Sequence, residues 1–385
     1  MTERSAKVLT PKEFAPFLRG ALHAELKDDC LEPVRLPSAA LAQSPDPGLT
    51  AMARMMSGVR LAFETDSPFV ALEVLETGFQ LVGEKRHASV FDLTSDGNLA
   101  ARAETSKGPT IVVDVTKIPP PAHIAPGEPS IVRFEGLSSR NKSLEIWLPH
   151  TAWVRLHALH VANDASIRET RETRLLWAHY GSSISHGMEA AGPTETWPAV
   201  AARKAGVELL HLGLAGQCHV DGFVARAIRD SAADVISLKL GINVINADSM
   251  RERAFKPTVH NFLDTIRERK SKTPIMIVSP IFCPAAEERP GPTFREGTGF
   301  VTLNREPALA AGALTLQRVR AILEEIVVAR RAAGDENLHY LSGLELFGAD
   351  DVVDLPDGLH PNAAGLRRMG DRFARHLKGR VVTPP

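Results

Sequence analysis

The chain has 385 residues, 44% of them hydrophobic, enough for two domains or one large one with an ample core. Its 45 basic and 46 acidic residues nearly cancel, which removes the electrostatic case for nucleic acid or an anionic membrane as partner. The start, MTERSAKVLTPKEF, has no apolar signal core, no run is long enough to span a bilayer, and Cys30, Cys218 and Cys283 are too scattered for a zinc site or a disulfide framework, so a soluble cytoplasmic protein without a metal is expected.

From about residue 33 to 165 the chain reads as short strands between turn residues. The clearest are Val59–Thr65, Phe69–Glu76, 110–115, Ser130–Leu137, Ser143–Leu148 and Trp153–Val161. Several alternate apolar with polar residues, as strands with one buried face do. Asp96-Gly97 and the Pro-rich KIPPPAHIAPGEP supply breaks, and no helical period persists, so residues 1–165 are expected to form an all-β sandwich. Trp147 and Trp153 are read as part of its core.

After Ile167 the pattern changes. Apolar runs RLLWAHY, VELLHLGL, DVISLKLG, PIMIVSP and LHYLSGL alternate with helical stretches, which implies a parallel sheet with helices on both faces over residues 166–385. Leu316, Val319, Leu323 and Ile326 mark the buried face of one helix, with Arg318, Arg320, Glu324 and Glu325 assigned to the others. The polar stretch 163–172 is the expected boundary.

In such a sheet the chemistry sits just after the carboxyl ends of the strands. Those turns carry Gly181-Ser182-Ser183, Gly216, Gly241-Ile242-Asn243 and, before the last helix, Asp357-Gly358-Leu359-His360. A serine hydroxyl needs a base to become a nucleophile, and an imidazole needs an acceptor to fix its tautomer. Ser183 is therefore the candidate nucleophile, His360 the base and Asp357 its orienter. The backbone N–H groups of Ser183 and Gly216 and the Asn243 amide are candidate donors to an oxyanion. Gly at 216 lets a backbone donor approach a ligand without an intervening side chain. Gln217, Cys218 and His219 follow it and are candidate substrate-binding residues. A nucleophile elbow of the α/β-hydrolase kind would read Gly-x-Ser-x-Gly, a pattern that Ser185 breaks.

This ordered series of four blocks resembles the GDSL, or SGNH, hydrolase superfamily over roughly residues 173–378. The resemblance implies a three-layer, flavodoxin-like α/β domain and acyl-enzyme chemistry without a cofactor, with Ser183, Gly216, Asn243 and His360 in the four namesake roles. Two positions depart from the family's pattern: Ser182 stands where an Asp is usual, and Val244 where a second acid is usual. The arrangement, with its jelly-roll-like or carbohydrate-binding-module-like first domain and WAHYGSSISHG, resembles a two-domain GDSL acyltransferase type that acylates a tetracycline hydroxyl in polyketide tailoring. That likeness implies an acyl-CoA donor and a polycyclic hydroxyl acceptor as small-molecule partners; a carbohydrate esterase, transferring to water, is the alternative.

Overall fold

The computed structural model describes residues 6–44, 46–114, 117 and 121–381. Val115, the last residue of the strand expected over 110–115, and Ile118, Pro119 and Pro120 of the Pro-rich break lie outside the described residues. By its contacts the chain forms two compact units. One consists of Met1–Pro37, Ala53–Thr173 and Gly192–Thr194, the other of Ser38–Met52, Arg174–Ala191 and Glu195–Pro385. A single boundary near residue 165 does not describe this division, because the chain changes unit after residues 37, 52, 173, 191 and 194.

The first unit holds an eight-stranded and a six-stranded sheet. Most pairs are antiparallel, such as Trp153–Ala162 on Val70–Leu81, while Thr110–Val113 joins Val70–Leu81 in parallel. Alternation sorts the side chains. Leu61, Phe63, Leu93, Leu144 and Ile146 of one sheet and Val70, Leu72, Val74, Leu156 and Leu159 of the other belong to one buried cluster. Asp96-Gly97 is more than a break. With φ of +49° and +82° these two residues turn Ser89–Ser95 back onto Asn98–Thr105, and Asp-Gly is the pair that tolerates two left-handed residues in succession. The second strand escaped the sequence reading because NLAARAET is largely exposed and carries little apolar signal.

The two tryptophans part company. Trp147 is 2% exposed and lies under the Arg60 guanidinium, 4.5 Å from its ring centroid. Trp153 is only half-buried, so its assignment to the core does not hold.

The second unit carries the parallel sheet. Its strands are β1 (Leu176–Gly181), β2 (Glu208–Gly213), β3 (Val235–Lys239), β4 (Ile275–Val278) and β5 (Leu338–Leu341), in the order β2-β1-β3-β4-β5. The helices that matter here are α1 (Ser183–His186), α2 (Trp197–Ala205), α3 (Gly222–Asp230), α4 (Ile242–Asn246), α5 (Glu252–Arg267), α6 (Leu316–Ala332) and α7 (Ala363–Val381). Trp177 and Tyr180 of β1 are three residues apart and so point to opposite faces. Trp177 stacks on Phe373 of α7 at 5.1 Å and lies 6.2 Å from Trp197 of α2, whereas Tyr180 stacks on Phe262 of α5 at 5.6 Å. Helices thus cover both faces of the sheet.

Helix α6 buries Leu316, Val319, Leu323 and Ile326 as its period requires, and Arg320 with them. The helical period alone places Arg320 on an outer face. Its Nε donates to Pro280 O at 3.0 Å and its terminal nitrogens to Ile281 O and Glu287, so it fastens the loop after β4. Among the described residues no helix is long and apolar enough to cross a membrane.

The end of β2 has no room for a side chain: a Cβ on Gly213 would lie 2.5 Å from the backbone N of His186 and 2.8 Å from His211 Nε2. Gly213→Ala should therefore destabilise the protein by about 2 kcal/mol or more, read as a lower urea midpoint at unchanged slope. An unchanged midpoint would show that α1 can shift freely at that point.

Candidate active site

Strand β1 runs apolar up to Gly181 and then meets small residues. Ser182 takes an extended conformation as the N-cap of α1, so Ser183 is the first helical residue, where a backbone N–H has no intrahelical partner. A one-turn helix this short needs outside support, and the buried polar residues of β1 and β3 supply it. Trp177 Nε1 donates to Ser237 Oγ at 2.8 Å, Ser237 Oγ lies 2.7 Å from His179 Nδ1, and His179 Nε2 lies 2.8 Å from Ser185 Oγ. Burial and the positive charge of Lys239 hold the His179 imidazole well below its usual range, so the ring is neutral. From β2, His211 Nε2 donates to Ser185 O at 2.8 Å. His179 and His211 are thus occupied in bracing the nucleophile's turn.

The last block closes on the first. His360 Nε2 lies 2.9 Å from Ser183 Oγ, and His360 Nδ1 lies 2.7 Å from Asp357 Oδ2. The second Asp357 oxygen accepts the backbone N–H groups of Leu359 at 2.9 Å and His360 at 2.6 Å. One carboxylate therefore shapes the turn and orients the ring. Burial would raise the Asp357 carboxyl, but the bonds from His360 hold it below its usual value. Burial alone would lower His360; the Asp357 hydrogen bond and the charges of Glu189 and Asp357 raise it above the usual imidazole range.

The two middle blocks place their residues as turn and helix start. Gly216 occupies the third position of the turn closed by Gln217 N–H to Leu214 O at 3.0 Å, with φ +70°. That left-handed angle is a second reason for glycine. A Cβ there would meet nothing within 4 Å, so the backbone is open to an incoming ligand. Asn243 stands in the first turn of α4, 6% exposed, and its Oδ1 accepts the Cys218 N–H at 3.0 Å. This bond fixes the amide and leaves Nδ2 as its donor.

Of the three candidate substrate residues, Gln217 is half-buried beside Gly48, whose Cβ would come within 2.8 Å of Gln217 Nε2. His219 bridges Ser249 Oγ at 2.9 Å and Gly216 O at 3.1 Å. Because the carbonyl can only accept, Nε2 carries the proton, and the ring serves to hold the Gly216 turn. Cys218 is 1% exposed, its thiol is directed at Lys239 O, and burial pushes it up to about 12. It faces the sheet rather than a cleft.

Several residues at the site had no signal in the motif series. Phe300 donates its backbone N–H to Asp357 O at 2.9 Å, and its ring meets the His360 ring at 5.5 Å and 76°. It sits on the hairpin Thr293–Glu296 and Gly299–Thr302, legible in retrospect as two alternating tetrads around EGTG. Residues 38–52 join this unit from far upstream: Gln43 Oε1 accepts from Arg226 of α3. Ser182 Oγ is buried with no hydrogen-bond partner, and Val244 is fully buried, so neither departure from the family's pattern leaves a place where a carboxylate would be solvated.

Residues 179–368 match the model of the GDSL-like lipase/acylhydrolase family. Among solved structures, the chain is similar to the salicylyl-acyltransferase SsfX3 from a tetracycline biosynthetic pathway, with 29% identity, 98% of each chain covered and a TM-score of 0.81. It is also similar to a GDSL-like lipase from Bacteroides ovatus at 18% identity, covering 97% of this chain and 98% of that one, TM-score 0.70. A family two carbohydrate esterase from Clostridium thermocellum matches at 12% identity, covering 98% and 99%, TM-score 0.62. At these identities the last two speak for the fold alone. No curated protein sequence matches significantly.

Lys239 ends β3 only 2% exposed, and burial brings its ammonium down to about 8 from 10.5. Between these values the unfolded chain holds a proton that the native state has lost, so this group makes stability rise with pH there. Lys239→Met should exceed the natural protein in stability at pH 7 by about 3 kcal/mol, and the gap should close between pH 8 and 10.5. Urea midpoints across that window check it; a gap independent of pH would contradict the assignment.

Proposed function

Residues 179–368 form a GDSL-like lipase/acylhydrolase domain, and on that premise we propose that the chain is a serine acyltransferase working through an acyl-enzyme. The observation that carries the reading is the continuous hydrogen-bonded set Ser183 Oγ–His360 Nε2 at 2.9 Å and His360 Nδ1–Asp357 Oδ2 at 2.7 Å. As Ser183 Oγ attacks an acyl carbonyl, its proton passes to His360 Nε2. The backbone N–H groups of Ser183 and Gly216 and Asn243 Nδ2 receive the oxyanion. The imidazolium returns the proton to the leaving group, a thiol when the donor is acyl-CoA. An acceptor hydroxyl then attacks the acyl-enzyme and gives its proton to His360, which passes it to Ser183 Oγ as the bond from the acyl carbon to that oxygen breaks, and the product leaves as an ester. Every proton in this cycle moves between Ser183, His360 and the substrates, so the cycle uses no metal or cofactor.

The same cycle with water gives an esterase. The reading as transfer to a hydroxyl of a polycyclic natural product is supported by the similarity to the salicylyl-acyltransferase, which spans both chains almost completely at 29% identity. The Phe300 ring against His360 adds an apolar surface beside the base, where an acceptor has an advantage over water. Incubation with acyl thioesters, followed by intact-mass spectrometry with and without a polycyclic phenol or alcohol, tests the proposal. A Ser183-bound acyl group that hydrolyses slowly alone and discharges quickly to the alcohol is the expected result. An acyl group lost to water at the same rate in both cases points to the esterase.

Ser183→Ala should abolish the adduct and lower turnover by about 10⁴-fold or more. Ser182→Ala removes a buried hydroxyl that bonds to nothing, so thermal midpoint and activity should stay near those of the natural protein. Loss of the adduct in Ser182→Ala rather than in Ser183→Ala would reverse the assignment.

His360 must be neutral to accept the serine proton, and its surroundings raise it above 6.5. The acid limb of kcat/KM should therefore fall at a pH above the ordinary imidazole midpoint. Glu189→Gln should move that limb to lower pH, because it removes one of the charges that favour the imidazolium. Asp357→Asn should move it the same way and also lower kcat by about 10²–10⁴-fold, since an amide misdirects the ring tautomer. A limb unmoved in both variants would detach His360 from the pH dependence.

A further inference from the structure

The outer face of the eight-stranded sheet in the first unit carries a hollow of about 300 Å³. Trp153 and Arg155 of one strand point outward there, directly opposite Thr77 and Leu75 of the next. Across the neighbouring pair, Glu25 and Glu32 stand opposite each other, an arrangement that like charges disfavour unless cations intervene. Three do. Lys27 Nζ lies 2.8 Å and Arg155 Nε 2.7 Å from Glu32 Oε1, while Arg54 reaches Glu32 Oε2 and Glu25 Oε1, each at 3.4 Å.

The accounting of donors and charges points to a ligand. Three cations against two carboxylates leave one positive charge. The Glu32 side chain is only 8% exposed, and the cations already occupy both its oxygens. Arg155 approaches Glu32 most closely through its Nε, its side chain is 54% exposed, and it lines the hollow, so its guanidinium has donors to offer there. A fork of this shape matches a carboxylate with two parallel bonds. The half-buried indole of Trp153 supplies a flat wall, and the half-buried Leu75, opposite Arg155, an apolar surface beside it. A hollow of this size accommodates one or two rings.

We propose that this hollow binds a ring bearing a single carboxylate, with the ring on the Trp153 indole and the carboxylate on the terminal nitrogens of Arg155. An aromatic acid and a uronic sugar share that chemistry. The site is independent of Ser183, and its test does not depend on acyl transfer.

The test follows the indole N–H resonance of Trp153 in the full-length protein, assigned with Trp153→Phe. The protein is titrated to about 10 mM, a range suited to millimolar affinity, with benzoate and with glucuronate, and in parallel with benzyl alcohol and glucose as neutral counterparts. A saturable shift with either acid supports the site and tells which source fits. The shift should weaken at least tenfold in Arg155→Gln, which leaves Lys27 and Arg54 on Glu32 and changes a half-exposed side chain; unmoved resonances of the other indoles then report an intact fold. Failure of both acids to shift Trp153, equal shifts by the neutral counterparts, or undiminished binding in Arg155→Gln each overturns the proposal.

Discussion

A hydroxyl and an imidazole that lie 177 residues apart in the chain are held 2.9 Å from one another. Neither side chain can hold that distance alone, because Ser183 opens a single helical turn and His360 lies in the loop that leads into α7. The serine's side is fixed from below, by a relay from Trp177 through Ser237 and His179 to Ser185 that ties a single helical turn to the sheet. The histidine's side is fixed by Asp357, which gives one oxygen to the backbone of its own turn and the other to the ring. Much else in the parallel-sheet unit follows from these two supports: glycine where β1 and β2 press against α1, and a hairpin whose Phe300 backbone caps Asp357 O.

Such a site is expensive in polar groups withdrawn from water. A neutral histidine, a lysine whose ammonium is disfavoured and two thiols pushed up to about 12, Cys218 and Cys283, lie beneath the turns that carry the reacting atoms. Of these, Lys239 is the one whose replacement by an apolar residue would raise stability, because its charged form is the one that burial penalises, whereas both ring nitrogens of His179 hold partners. The position of these groups at the carboxyl ends of the strands is where α/β sheets concentrate function, and stability and function commonly pull apart there.

The reacting groups were legible because nucleophile, base and orienter need particular residue types, and a parallel sheet exposes them in chain order at strand ends. What supports them was not. His219 reads in the sequence as a cleft residue, and only the two acceptor and donor atoms around its ring make it a strut for Gly216. Arg320 reads as a surface charge on a helix, yet the carbonyls of Pro280 and Ile281 draw it inward. Trp153 and Trp147 are alike in composition and six residues apart, and only strand pairing decides which one faces the core. Each failure has the same origin: a long-range partner overrode a local pattern. The Asn98–Thr105 strand failed differently, since an exposed strand has no apolar alternation to display.

The exchange of residues 38–52 and 192–194 between the units bears on how the chain is made. Synthesis delivers residues from the amino terminus at a finite rate, and a folding unit closes only when its last segment is available. The two-sheet unit includes residues 192–194, where Thr194 binds Asp92 through its N–H at 3.1 Å and its hydroxyl at 2.6 Å. Those contacts form only after the nucleophile's turn has been synthesised, and the contacts of residues 38–52 only after their partners further along the chain. Gene fission at the sequence boundary would part Gln43 from its donor Arg226 and Thr194 from its acceptor Asp92, so each half would lose a segment that belongs to its own unit.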